Sequence, residues 1–473
     1  MNKKSIFNFL LVLMTINIKV FGFQNTTKPN VLLIITDEHN FRTIGAHRKL
    51  LSEKEALMWG STVVKTPNID RIANEGAILT SMYAAAPVCT PSRAAIFSGS
   101  CPTVVSSGDN DRGISINQTT IAKVFRSSGY TTGYVGKWHL SQDRPNGLQY
   151  KPGWLLEPEL RTKDYGFDVP NFMYNRGHYK QFEIIDNPYA GAPSDEKMGR
   201  EVSTNSNGAN SSNFSTDWLT NIAVNFIDQN KSNPFFYVIS YPDPHGPNNV
   251  RATYNAMFTS NNFEIPTTFR TGTIPNENTG SFEKANWTIN SGRNKRSEAQ
   301  IKEILPQYFG MVKCIDDNIK KLLDKLSDEG ILDNTIIVFT SDHGDLMGEH
   351  GRENKGNPYE ASVLIPFLIR YPAIINPNTV INTAFNNADL MDTLIHIAGI
   401  TNFDETTTTG KSFKNVFTGE DFNVTENGIS LNGITFSNLN NWLASFSDRF
   451  KLVLEKPTNG RKKIPWLIDL QED

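Results

Sequence analysis

Short apolar runs alternate with longer amphipathic segments along most of this chain. Residues 31–36, five consecutive apolar residues followed by Thr36, show the pattern of a fully buried strand. The spacing predicts a helix over 68–74 stopped at Gly76, then a strand over 77–83. A helix over 120–126, ended near Gly129, precedes a strand over 131–138. A helix over 218–228 precedes a strand over 235–240, closed by Pro242 and Pro244. The clearest helix runs over 298–328, with Leu305, Tyr308, Val312, Ile315, Ile319 and Leu322 at helical spacing. That stripe reads as core. Strands over 335–340 and 366–370 and a helix over 387–398 complete the rhythm. The alternation predicts an α/β fold: a large mixed, mostly parallel sheet sandwiched by helices.

Two intervals lack this rhythm, 143–213 and 248–293. Both are rich in Pro, Gly, Asn and Ser, as substrate loops or inserts are. Within the first, Tyr174, Asn175, Arg176 and His178 are candidates to touch a sugar, or are plain surface residues. Beyond Phe422 the pattern changes to short strands over 434–437, 442–446, 450–455 and 465–470, with Asn459-Gly460 as a hairpin turn. The expected organisation is a signal peptide over 1–22, a catalytic domain over 28–421 and a small antiparallel C-terminal subdomain over 422–473.

Composition narrows the class. The 473 residues are 38% hydrophobic and 20% charged, ordinary for a globular protein with a substantial core. A net charge of −3 gives no reason to expect nucleic-acid binding. Lys3 and Lys4 precede a mostly apolar stretch over 6–20, and Gly22 offers a small residue for cleavage. This predicts export to a periplasm or the outside, with no stable membrane anchor. Of the three cysteines, Cys89, Cys101 and Cys314, the last lies in the strongest helix, where a buried free thiol is expected. If Cys89 is chemically converted, Cys101 and Cys314 are left as a possible disulfide pair.

The candidate chemistry sits at the ends of strands. Asp37 and Glu38 end one, Lys137 and His139 another, His245 follows a third, and Asp342 and His343 end a fourth. Sites of open α/β sheets gather at such ends. Lys137 and His139 are two apart on an extended segment, so both are expected on one side and Trp138 on the other. Asp37, Glu38 and Asp342 offer oxygen ligands for a hard divalent cation, and an imidazole from His343 also suits softer ions. In Cys89-Thr90-Pro91-Ser92-Arg93, Pro91 suits the first position of a helix, with Cys89 just ahead of it. A helix N-terminus carries about half a positive charge, and Arg93 adds a second cation.

Cys89-Thr90-Pro91-Ser92-Arg93 resembles the modification signal of the type I sulfatases, in the alkaline phosphatase superfamily. Residues 30–38, Gly136-Lys137-Trp138-His139-Leu140, Pro244-His245-Gly246-Pro247 and Ser341-Asp342-His343-Gly344-Asp345 resemble other blocks of that family, in order. Lys355 resembles its sulfate-gripping lysine. The resemblance runs from about Lys28 to the C-terminus and implies an alkaline-phosphatase-like fold and a sulfuric ester hydrolase. It implies that Cys89 is oxidised to formylglycine by a formylglycine-generating or anaerobic sulfatase-maturating enzyme. It implies one divalent cation, calcium, on Asp37, Glu38, modified Cys89, Asp342 and His343. Arg93, Lys137 and Lys355 would neutralise the sulfate, His245 would protonate the leaving alcohol, and His139 would take the proton that resets the nucleophile. A sulfated carbohydrate is the implied substrate. Three departures stand out. His343 replaces a frequent Asn, and Glu38 a frequent Asp or Gln, so its longer arm lies on the metal or beside it. Ser98-Gly99-Ser100-Cys101-Pro102 replaces Thr-Gly-Arg-Tyr-Pro. The alternatives are a phosphonate monoester or phosphodiester hydrolase of the same superfamily, and a non-catalytic receptor for sulfated glycans.

Overall fold

The computed structural model describes residues 28–105, 110, 112–141, 164–175, 177–186, 197–269, 296–418, 435–437, 442–446, 449–455 and 465–470. The expected signal peptide, Arg176, Asn459-Gly460 and the 421/422 boundary lie outside these residues.

Eight strands form the central sheet: β1 (Asn30–Asp37), β2 (Ala77–Leu79), β3 (Thr131–Lys137), β4 (Val169–Tyr174), β5 (Phe235–Pro244), β6 (Thr335–Ser341), β7 (Phe367–Arg370) and β8 (Thr379–Ile381). Their order is β8-β2-β7-β6-β1-β5-β3-β4. All neighbours are parallel except β7, which runs against both β6 and β2. The mixed, mostly parallel sheet of the sequence reading is therefore present.

β1 is buried at all eight positions, which explains its unbroken apolar run. Val31, Leu33 and Ile35 pack under one helical layer that includes Cys89–Ser98, Ile121–Ser127 and Leu390–Ile397. Leu32 and Ile34 face the other, built from Pro67–Asn74, Ser215–Asn230 and Glu298–Asp328. The last helix opens with a capping box between Ser297 and Gln300 and runs on through Pro306.

The structure departs from the sequence reading in several places. The 77–83 run splits into β2 and Met82–Tyr83, because Met82 and Tyr83 pair with Phe385–Asn386 in a separate two-stranded sheet. The arrhythmic 143–213 interval contains β4 and the antiparallel pair Gln181–Asp186 and Lys197–Ser203. In Gln181–Asp186 only Phe182 is buried, and Ile184 and Asp186 are exposed. β5 continues through Pro242 to Pro244. The three cysteines are free. Cys314 is buried in its helix with Sγ 3.6 Å from Asp217 Oδ2, so the conditional disulfide is not formed.

The C-terminal strands Thr435–Ser437, Trp442–Phe446, Phe450–Glu455 and Trp466–Asp469 form an antiparallel four-stranded sheet in sequential order. No described helix is long and apolar enough to cross a membrane.

His47 is buried edge-on to Phe41, with ring centroids 5.9 Å apart. Burial pushes its pKa down to about 4. The unfolded chain takes up this proton near pH 6.5, well before the folded one. The contribution of neutral His47 is therefore complete above pH 6.5 and is lost as pH falls from there toward 4. Unfolding free energy should drop by about 2 kcal/mol from this group between pH 7 and pH 5. Urea midpoints at the two pH values check this, and His47→Phe should flatten the difference.

Candidate active site

Parallel pairing gathers the chemistry. Thr36 is level with Ser341 and Asp37 with Pro244, while Gly136 is level with Ser240 on β5. Asp37, Asp342, His245 and Lys137 thus emerge together at the carboxyl edge of β1, β6, β5 and β3. The Cys89–Ser98 helix aims its N-terminus at the same edge. It begins at Cys89, with Val88 as its cap, so Pro91 is the third helical residue rather than the first. Proline is tolerated there because the first-turn N–H groups have no partner inside the helix.

Cys89 Sγ lies 3.2 Å from His343 Nε2 and 3.8 Å from Asp37 Oδ1. One donor atom each from Asp37, Cys89, Asp342 and His343 falls within 4.8 Å of the others, and all four residues are buried. Burial and the neighbouring Asp37 raise the Asp342 carboxyl. Burial would lower the His343 imidazole, but Asp342 overrides it and brings it to about 9. Two buried carboxylates converging on an anionic sulfur concentrate negative charge that the His343 imidazolium offsets, and a bound cation would take over that task by displacing the ring proton. The oxygen-rich set fits a hard divalent ion, and the nitrogen admits a softer one.

Arg93 is fully buried and holds this set in place. Its Nε donates to Asp342 Oδ2 at 2.9 Å, and Nη1 donates to Lys137 O at 2.7 Å and to Ser240 Oγ at 2.8 Å. Nη2 stands 4.0 Å from Asp37 Oδ2. The guanidinium thus ties the Asp342 carboxylate to β3 and β5. Asp342 also accepts from the backbone N–H of Glu38 at 3.2 Å and of His343 at 2.9 Å.

Of the two expectations for Glu38, on the metal or beside it, its contacts favour the second. It takes a left-handed backbone, with φ 64°. Its carboxylate meets His245 Nε2 at 2.9 Å and Lys355 Nζ at 3.2 Å, outside the four-donor group. Burial opposes its ionisation, but His245 and Lys355 still lower its pKa.

Two lysines close the pocket. Lys137 Nζ bonds to Asp37 Oδ2 and lies 2.9 Å from His178 Nε2. Lys355 Nζ lies 2.7 Å from His245 Nε2. Burial tends to raise the Cys89 thiol and the Asp37 carboxyl. Lys137 and Lys355 nevertheless pull Cys89 well below its usual range, and Lys137 with His245 and His178 does the same for Asp37. An anionic sulfur and an anionic ligand are what such a cationic cup favours. Trp138 points away, packed on Phe97 at 4.7 Å and Tyr165 at 5.1 Å, as alternation requires. β3 stops at Lys137, and His139 is buried in the turn beyond with φ 60°, so strict alternation does not carry to it.

His178 belongs to this centre, although sequence reading placed it only among possible sugar contacts. Its Nε2 is 3.2 Å from Asp37 Oδ2, and its ring stacks on His245 at 3.5 Å and 7°. Burial, with His245 and Lys137, pushes its pKa well down and keeps it neutral. Pairing of Lys137 with Tyr174 carries it there, a non-local contact with no local signal. Nearby, buried Lys180 meets Asp243 Oδ1 at 2.5 Å and donates to His245 O at 3.2 Å. Tyr174 is buried and Asn175 Oδ1 accepts from Ser141 N–H at 3.1 Å, so neither is a plain surface residue.

The Sulfatase family model matches residues 29–400. An arylsulfatase of Clostridium perfringens is 28% identical, over 79% of this chain and 75% of its own length. An N-acetylglucosamine-6-O-sulfatase of Bacteroides thetaiotaomicron is 26% identical, over 80% of this chain and 69% of its own. The crystal structure of YidJ from Bacteroides fragilis superposes with a TM-score of 0.68 at 23% identity, covering 94% of this chain and 90% of that one. The fold, the convergence of four strand ends on one cationic cup and a family match across most of the sequence agree: the chain belongs to the sulfatase family, as a sulfuric ester hydrolase.

Proposed function

We propose that this protein is an exported sulfatase that removes sulfate from a sulfated carbohydrate, using a formylglycine made from Cys89 and one calcium ion. The observation that carries the reading is Cys89 Sγ at 3.2 Å from His343 Nε2 and 3.8 Å from Asp37 Oδ1, under two lysines that act on it. Asp37, Asp342, His343 and residue 89 would hold the cation, with Glu38 beside it. When bound, the cation supplies charge that draws an anionic ester toward residue 89 and eases loss of a proton there. A hydrated formylglycine supplies two hydroxyls on one carbon, one to attack sulfur and one to allow reset.

The chain's own residues do the rest. Lys137 and Lys355 hold sulfate oxygens and offset charge as the ester bond stretches. Arg93 keeps Asp342 aimed. His245 Nδ1–H donates to Gly246 O at 2.8 Å, so the ring acts as the general acid in its imidazolium form, held beside the Glu38 carboxylate, with the pocket-facing Nε2–H passing to the leaving alcohol. His139 is assigned the return proton transfer. The carbohydrate preference draws on the relative named for N-acetylglucosamine-6-O-sulfate, and export on the basic and apolar N-terminal residues.

Co-expression with a formylglycine-generating enzyme tests the proposal. Peptide mass at position 89 and parallel assays on an aryl sulfate, a phosphodiester and a panel of sulfated glycans are the readouts. Desulfation by protein carrying the aldehyde, lost on chelation and restored by calcium, is expected. Faster phosphodiester cleavage would favour the phosphohydrolase alternative. Glycan binding without turnover, with Cys89 still a thiol, would favour the receptor.

A further inference from the structure

The C-terminal sheet is built against the usual pattern. On the Phe450–Glu455 strand, Phe450, Leu452 and Leu454 are 43%, 36% and 39% exposed, while Lys451 and Val453 are 2% and 1% exposed. A sheet with one solvated face normally buries its leucines. A slip of one residue would reverse every side chain. This register instead buries a lysine, at a desolvation cost that needs compensation.

The compensation lies beside the active site. Lys451 Nζ donates to Pro358 O at 2.8 Å and meets Glu360 Oε1 at 2.5 Å. On the neighbouring strand, buried Trp442 donates its Nε1–H to Gly356 O at 3.2 Å. These carbonyls lie one and three residues after Lys355. Around that lysine the backbone is irregular, with left-handed Asn354 (φ 66°) and Gly356 (φ 89°) on either side. A segment of this kind cannot set its own geometry through a hydrogen-bond ladder. Asp345 Oδ1 ties its upstream end through the Asn354 N–H at 2.7 Å. The C-terminal sheet ties its downstream end.

We propose that Trp442 and Lys451 are positioning residues for Lys355, so that the C-terminal sheet sets the anion-binding geometry of the active site. The inference rests on the reading of Lys355 as a sulfate-binding residue. Neither residue touches the substrate; both act through the 355–358 backbone.

The test is a double-mutant cycle read by binding of inorganic sulfate to the calcium-loaded full chain with Cys89 unmodified. Lys451→Met should weaken sulfate binding about tenfold, within the coupling range of residues in one network. In a Lys355→Met background it should cost nothing further, and Lys451→Arg should recover part of the loss. Trp442→Phe should follow the same non-additive pattern. Urea unfolding of each variant identifies any that fail to fold, and Lys451→Arg and Trp442→Phe then carry the test. Equal losses with and without Lys355 would overturn the proposal, as would unchanged sulfate affinity in Lys451→Met. A wild-type enzyme that matures yet cleaves no sulfate ester would count against the sulfatase reading instead, and the binding cycle would still report the coupling.

Discussion

Cys89→Ala is expected to abolish sulfate ester hydrolysis while leaving the protein folded. Loss of a covalent nucleophile lowers turnover by roughly 10⁴- to 10⁶-fold. The helix should survive, because alanine is the best helix former and the Cys89–Ser98 segment is buried on all sides. The thiol is held low by Lys137 and Lys355, so the substitution also removes an anion from a cationic cup. Stability should change little and inorganic sulfate should still bind. The measurements are the initial rate on an aryl sulfate and the thermal midpoint. Residual activity within tenfold of wild type would remove residue 89 from the chemistry.

Arg93→Met is expected to have the largest effect on stability. Its guanidinium bonds Asp342, the carbonyl of Lys137 and the hydroxyl of Ser240, tying the helix to the ends of β6, β3 and β5. Deleting one partner of a buried ion pair costs about 3–5 kcal/mol, because the carboxylate left behind is buried without compensation. Arg93→Lys should recover little, since an ammonium cannot reproduce three donors in a fixed fork. Denaturant unfolding at pH 7 reads the loss. A change below about 1 kcal/mol would show that Asp342 is satisfied by the backbone N–H groups of Glu38 and His343 alone. Activity should fall with stability, because Asp342 is among the four clustered donors.

Much of the framework was legible as pattern. β1 and β6 are short buried runs bounded by polar residues, and the Glu298–Asp328 helix shows apolar positions at helical spacing from Leu305 to Leu322. Such elements are set by local spacing, so a sequence window contains the information. The strand-end residues were also readable, because carboxylates, lysines and histidines have no packing reason to terminate apolar runs.

Other features depend on partners distant in the chain. β4 was hidden because a sheet edge needs only one neighbour and carries a weak apolar signal. His178 reads as a loop residue until the pairing of β3 and β4 swings it onto Asp37 and His245. The commitment of Arg93 to Asp342 and the turn of Glu38 toward His245 were equally invisible, since neither side chain's direction follows from its neighbours in sequence. Lys451 lies on the expected 450–455 strand, and register put its side chain inside.

The amino-acid sequence by itself determined the α/β class, the principal strands and helices, and the inventory of charged groups at the strand ends, because each is encoded within a few residues by spacing and residue type. Tertiary structure alone decided which of those groups share a cluster, which way each side chain is aimed and which lysines are buried. Those outcomes follow from strand pairing and packing between segments distant in the chain, and in a low-dielectric site a shift of a few ångströms decides whether a charge serves as ligand, clamp or catalyst.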